Sequence, residues 1–129
     1  MAEPGFEVSR SGERCEGIAR GIDRAHLTRL RRGELRVERR VDLHGLTAAE
    51  AQRELAGELA DAFAAGERCV LVIHGRGLHS DAEPVLRDGV VSWLTSGRSA
   101  ARVMAFVSAL PRDGGPGASY VLLRRARRG

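Results

Sequence analysis

The 129-residue chain has no lysine: all 21 of its basic side chains are arginine, set against 17 acids and four histidines. An all-arginine complement reads as a mark of GC-rich coding rather than as selection for guanidinium chemistry. Cysteine is scarce. Cys15 and Cys69 are too few and too far apart for a disulfide framework or a thiolate metal site, and a reducing, cytoplasmic setting is the simplest expectation. Aromatics are 4% of residues, which argues against extended base stacking and for backbone or shape readout if a nucleic acid is bound. No run approaches the ~20 apolar residues that span a bilayer. Met1 to Arg14 has no apolar stretch of the kind a secretory signal needs. No membrane partner is expected.

What is present suits one small domain with flanks: 43% hydrophobic residues is enough for a modest core. The net charge of +4 hides an asymmetry. Residues 1–40 hold ten arginines and seven acids, net +3; residues 41–123 hold seven arginines and ten acids, net −3; residues 124–129 hold four arginines and no acid. The positive field sits on the flanks, a common footprint for nucleic acid and equally the signature of a solubilising tail.

Residues 1–22, without periodicity, are expected to form a flexible arm. Residues 23–40 predict a short helix from Asp23 to Arg32 and an extended lead-in. That helix has only Leu27 and Leu30 as apolar anchors, so weak docking is expected, with Arg24, Arg29, Arg31 and Arg32 in solvent. The folded domain is placed at 41–124 and an Arg-rich tail at 125–129. Arg40 to Leu43 predicts a strand. Thr47-Ala-Ala-Glu50 is a capping box, and Ala51, Leu55, Leu59, Ala62 and Phe63 form the inner stripe of the helix it starts. Cys69 to His74 is an apolar run suited to a strand buried on both faces. A second helix is expected over 83–96, with Gly97 as its stop. Arg102 to Leu110 and Ser119 to Arg124 are further strands, joined by the turn-rich Pro111–Gly117. The order β-α-β-α-β-β predicts a small two-layer α/β sandwich: a mixed, mostly parallel sheet with helices packed on it, its last pair antiparallel.

Two tetrapeptides fall where a strand ends and a turn begins: Asp42-Leu43-His44-Gly45 and His74-Gly75-Arg76-Gly77. Asp42 and His44 alternate onto one strand face, where a carboxylate can fix an imidazole's tautomer. Ligands of open α/β sheets bind beyond the carboxyl ends of parallel strands, so both motifs are expected to share one crevice. Gly45, Gly75 and Gly77 allow backbone amides to approach an anion, with Arg76 as cation. Each motif alone also has a structural reading, as a turn cap or a glycine turn. His79 and Asp81 lie close to the second motif, but their spacing matches no standard metal-ligand pattern. Ser80 to Glu83 reads as a helix cap, and Gly114, Gly115 and Gly117 as turn glycines.

The segments Val-Asp-Leu-His-Gly-Leu (41–46), Ile-His-Gly-Arg-Gly (73–77) and Gly-Gly-Pro-Gly-Ala-Ser-Tyr-Val-Leu-Leu (114–123) together resemble the Smr (small MutS-related) domain family, in order and spacing across 41–124. Leu-Arg-Arg-Gly-Glu-Leu, 30–35, resembles the lead-in of stand-alone bacterial members. The resemblance implies an endonuclease-like module that nicks DNA or cleaves RNA, in some members at stalled ribosomes. It ties Asp42, His44 and Gly45 to cleavage, and His74, Gly75, Arg76 and Gly77 to substrate binding or catalysis. No P-loop accompanies them.

The expectation is therefore a nucleic-acid endonuclease acting on RNA or DNA, with Asp42, His44 and His74 catalytic and Gly45, Gly75, Arg76 and Gly77 binding phosphate. An RNA substrate brings its own 2′-hydroxyl as nucleophile. DNA needs an attacking water, often with a divalent metal such as magnesium. The competing expectation is a non-catalytic module that docks nucleic acid or a ribosome through its Arg-rich flanks.

Overall fold

Two residues, Gly12 and Glu13, turn the chain back on itself near its start. They join β1 (Phe6–Ser11) to β2 (Arg14–Ala19) as an antiparallel hairpin in this computed structural model, which describes residues 5–75 and 82–126. Glycine at φ 60° in the first turn position is what a two-residue hairpin turn of this kind requires. Residues 6–19 are therefore sheet, where an arm was expected. β2 continues antiparallel onto β5, with Gly17 opposite Phe106. A Cβ on Gly17 would lie 2.3 Å from the Phe106 ring, so that contact exists only with glycine there.

The elements that follow are α1 (Ala25–Arg31), β3 (Arg39–Asp42), α2 (Ala48–Ala64), β4 (Cys69–Ile73), α3 (Ala82–Leu94), α4 (Gly97–Arg102), β5 (Val103–Ser108) and β6 (Ala118–Leu123). Six strands form one mixed sheet in the order β1-β2-β5-β6-β4-β3. The α/β class stands as expected, but the sheet is not mostly parallel: β3 and β4 are parallel, and the other four pairs are antiparallel. The physical reason is insertion. After β5 the chain reverses through the 110–117 loop and lays β6 between β5 and β4, antiparallel to both.

Nor is the sheet covered on one face alone. On one side Val70, Val72, Phe106 and Val121 pack against α2 and α3. On the other, Leu71, Ala105, Val107 and Leu122 pack against Leu27 and Leu30 of α1, each 1% exposed. Two leucines suffice to seat α1, because its rim is tied as well. Arg31 bonds the Glu16 carboxylate of β2, and Arg24 lies 3.5 Å from Glu7 of β1. Those two guanidiniums are exposed, as expected, and also pair with the hairpin.

The capping box forms as read. Glu50 N–H donates to Thr47 Oγ1 at 3.2 Å and Thr47 N–H to Glu50 Oε1 at 2.9 Å. The stripe Ala51, Leu55, Leu59 and Ala62 is buried. α3 stops before Gly97, and that glycine opens α4, a helix the sequence pattern did not show. Among the described residues no helix is long and apolar enough to cross a membrane.

Candidate active site

β3 and β4 run in register with Asp42 opposite Ile73, and Leu43 N–H donates to the Ile73 carbonyl at 2.7 Å. Both sequence motifs therefore begin at the same end of the sheet. Val41 and Leu43 are buried beneath α2, so alternation turns Asp42 to the opposite face. A tight turn follows, with Gly45 at φ 81° and Leu46 N–H closing on the Leu43 carbonyl at 3.2 Å. Thr47 then starts α2. The turn is pinned between an edge strand and a capped helix.

Within it, Asp42 Oδ1 accepts the backbone amide of His44 at 3.1 Å and lies 2.7 Å from His44 Nδ1. An ionised carboxylate only accepts, so Nδ1 carries the proton and Nε2 is the nitrogen that exchanges one. The His44 and Asp42 side chains are 64% and 53% exposed. Partial burial raises the Asp42 pKa, but the His44 imidazole and amide bonds and the charges of His44 and Arg40 outweigh it. The carboxyl is held below its usual value. Asp42 thus stays ionised and keeps the imidazole in one tautomer.

His74 sits differently. It is 2% exposed, with Nδ1 3.0 Å from the Gly75 carbonyl and Nε2 3.3 Å from Ser119 Oγ. A carbonyl accepts, so Nδ1 holds the proton, and the neutral ring's Nε2 takes the Ser119 hydroxyl hydrogen. Burial pushes its pKa down; the Gly75 bond opposes and Arg87 adds to the lowering. Its neighbours are clamped too, since the Gly117 carbonyl accepts both the His74 and the Gly75 amides, at 3.0 and 2.9 Å. The Gly75 amide, expected among the phosphate donors, is committed to Gly117 instead.

Register separates the two motifs further. Asp42 shares a sheet face with Ile73, whereas His74 and Ser119 belong to the face of Val72, the register partner of Ser119. Asp42 and His74 thus stand at one end of the sheet but on opposite faces. Arg76, Gly77, His79, Ser80 and Asp81 lie outside the described residues. Among the described residues no three His, Cys, Asp or Glu side chains gather at metal-ligand spacing. Asp42 and His44 are the donors this part of the site offers.

Sequence reasoning missed Ser119 and Gly117 as the partners of His74. They lie over 40 positions downstream, and only the antiparallel β4–β6 register brings them close. The loop leading to them is fixed by Tyr120, whose hydroxyl donates to the Asp113 carboxylate and accepts the Leu110 amide at 3.4 Å. Arg40 was also missed. It stands two residues before Asp42 on the same face, the spacing that could have revealed it.

Comparison with known proteins gives a consistent picture. The family model described as Smr domain matches residues 41–124. A ribosome rescue factor SmrB of Photobacterium profundum is 36% identical over 103 residues, 80% of this chain and 54% of the relative. A probable DNA endonuclease SmrA of Escherichia coli K12 is 34% identical over 113 residues, 87% and 57% of the two. The chain thus spans little more than half the length of these curated relatives. Among solved structures, YdaL, a stand-alone small MutS-related protein from Escherichia coli, superposes with a TM-score of 0.71 at 34% identity, covering 85% of this chain and 82% of that one. The Smr domain of Thermus thermophilus MutS2 gives 0.57 at 36% identity, covering 67% and 98%.

Proposed function

The chain belongs to the Smr domain family, and from that premise we propose that it is a nucleic-acid endonuclease whose proton-handling centre is the Asp42–His44 pair. The observation that carries this reading is the 2.7 Å contact of Asp42 Oδ1 with His44 Nδ1 in a half-exposed turn. A tautomer-fixed imidazole reachable from solvent is what general acid–base chemistry on a large substrate requires.

With RNA, His44 Nε2 removes the 2′-hydroxyl proton as that oxygen bonds to phosphorus. The phosphorus–O5′ bond breaks, and the leaving oxygen takes a proton from water, leaving a 2′,3′-cyclic phosphate and a 5′-hydroxyl. Asp42 stabilises the imidazolium in the interval. Arg76 and the amides of Gly45 and Gly77 are assigned to the charge developing on the phosphoryl oxygens. His74 is assigned a positioning role: it braces the β4 end and the 114–117 loop against each other. The SmrB relatives, named as ribosome rescue factors, favour RNA and a ribosomal setting in the cytoplasm. SmrA, named as a probable DNA endonuclease, supports the second reading, in which water attacks DNA with help from a divalent metal.

The test is cleavage of labelled single-stranded RNA and duplex DNA, with magnesium or with EDTA, by wild type and a folded His44→Ala variant. Cleavage lost in the variant supports the assignment, and the substrate and EDTA arms choose the chemistry. Wild-type rates in His44→Ala would sink it.

A further inference from the structure

Away from the Asp42–His44 turn, α1, the 35–38 lead-in and the ends of β4, β5 and β6 enclose a cleft of about 710 Å³. Arg29, Arg36, Arg68, Arg124 and Arg125 line it, with Glu38 as its one acid. The two basic flanks of the sequence thus converge: Arg29 and Arg36 come from one, Arg124 and Arg125 from the other. Arg127 and Arg128 follow in the sequence.

Some arginines elsewhere find carboxylates, as Arg24 does with Glu7, Arg31 with Glu16, and Arg39 with both Glu58 and Glu67. Among the described residues none of the five in the cleft forms an ion pair. Glu38 is occupied by the Arg68 backbone amide at 2.8 Å. Arg68 itself is fixed by the Leu123 carbonyl at 2.6 Å. Its burial, and the like charges of Arg125 and Arg29, disfavour its protonated form and outweigh the opposing charge of Glu38. Five guanidiniums lining one cleft with a single acid form a site whose positive field an anion would neutralise. Its size falls in the range of small-ligand sites.

From the cleft, one sheet face leads to the proposed catalytic turn. Glu38 N–H donates to the Cys69 carbonyl at 2.8 Å and extends the β3–β4 pairing. Glu38, Arg40 and Asp42 therefore alternate onto one sheet face. From Glu38 to Asp42 the strand advances about 13 Å, at ~3.3 Å per residue, and Arg40 stands between.

We propose that this arginine cleft binds the phosphodiester backbone of a single-stranded RNA segment flanking the bond cleaved at His44, with Arg40 bridging the two places. The identity of the strand rests on the endonuclease reading above; the cleft's preference for a polyphosphate backbone rests on its own charges.

The test is binding of a short fluorescein-labelled single-stranded RNA by fluorescence anisotropy across a salt series, in the full chain carrying His44→Ala so that turnover does not intrude. The exposed cleft residues are changed together, Arg29→Gln, Arg36→Gln and Arg125→Gln. A control changes the exposed Arg20→Gln, Arg53→Gln and Arg98→Gln elsewhere, removing equal charge. The cleft variant is expected to lose about tenfold or more in affinity, and about 2 from the slope of log affinity against log salt, at ~0.7 per phosphate contact on a single strand. The control is expected to stay within about threefold, because exposed charges beyond a Debye length are screened. Equal loss in both variants, no loss in the cleft variant, or no binding by the His44→Ala parent would each overturn the proposal. Cleavage by wild type is scored separately. Arginine-dependent binding without cleavage would sink the endonuclease reading and keep the cleft as a nucleic-acid site.

Discussion

His44 and His74 each precede a glycine just past the end of one of two neighbouring parallel strands, yet the protein treats them in opposite ways. His44 is mostly in solvent, tied at Nδ1 to the carboxylate two residues before it. His74 is sealed, both ring nitrogens engaged, its pKa driven down by burial. The same dipeptide serves a proton-transfer assignment in one place and a structural joint in the other. What differs is the neighbourhood: an edge strand leaves the Asp42 face open, whereas β4 lies between β3 and β6 and is covered. The shared dipeptide does not decide the exposure of its histidine, and the different roles proposed for the two follow from their surroundings.

The largest expected effect tests that contrast directly. His44→Ala should reduce cleavage by roughly 10²–10⁴, the usual worth of a general acid–base group, while unfolding free energy in urea stays within about 0.5 kcal/mol, as for an exposed side chain. His74→Ala should do the reverse. Removing it leaves the Ser119 hydroxyl and the Gly75 carbonyl without their ring partner and opens a void, together about 2–4 kcal/mol by urea titration. The fraction that remains folded should still cleave. If His74→Ala were stable and inactive, the division of labour argued here would collapse and His74 would return to the reacting centre.

The parts of this molecule legible from sequence are those whose signals are local. Thr47 and Glu50 announce α2 because both partners of the capping box lie within one turn. The run from Cys69 to Ile73 announces a central strand because every residue is apolar. The hairpin at 6–19 escaped because the apolar alternation of β1, Phe6 and Val8 against Glu7 and Ser9, is only four residues long and the rest of the strand is exposed; its other cue was Gly12 in a two-residue turn. Strand order escaped because nothing local tells β6 to insert between β5 and β4. For the same reason the Asp42–His44 contact was foreseeable from a spacing of two, while the separation of Asp42 from His74 onto opposite faces required the register. The convergence of both arginine flanks on one cleft is likewise a product of topology.

Asp42→Asn sharpens the comparison more gently. Asparagine can still accept from Nδ1, so the tautomer survives, but the charge that stabilises an imidazolium is gone. For a half-exposed pair that charge is worth about 1 kcal/mol, so cleavage should fall by about fivefold to tenfold. The acid limb of the pH–rate profile should move to lower pH, since His44 then protonates less readily. A purely structural Asp42 would lower the rate at every pH and leave the limb in place.

The smallest effect separates the two regions by pH alone. A histidine whose folded pKa lies below its unfolded value of about 6.5 binds fewer protons folded than unfolded. Its contribution is therefore complete above that value and is lost as pH falls through it toward the folded pKa, at no more than about 1.4 kcal/mol per pH unit. His74 meets that condition. Asp42, with its pKa also depressed, follows the same proton bookkeeping in a lower window, its contribution present above its unfolded value of about 3.9 and lost as pH falls through the folded one. Unfolding free energy should thus decline from pH 7 to pH 5 because of His74, and again below about pH 4 with a share from Asp42. His74→Gln should flatten the first decline and leave the second; Asp42→Asn should soften the second and leave the first. Urea titrations across pH 3 to 8 read the slopes rather than the absolute stabilities, so a general loss in either variant does not blur the result. A first decline that persists unchanged in His74→Gln would mean that its protons enter elsewhere and that the sealed joint is not where this fold senses acid.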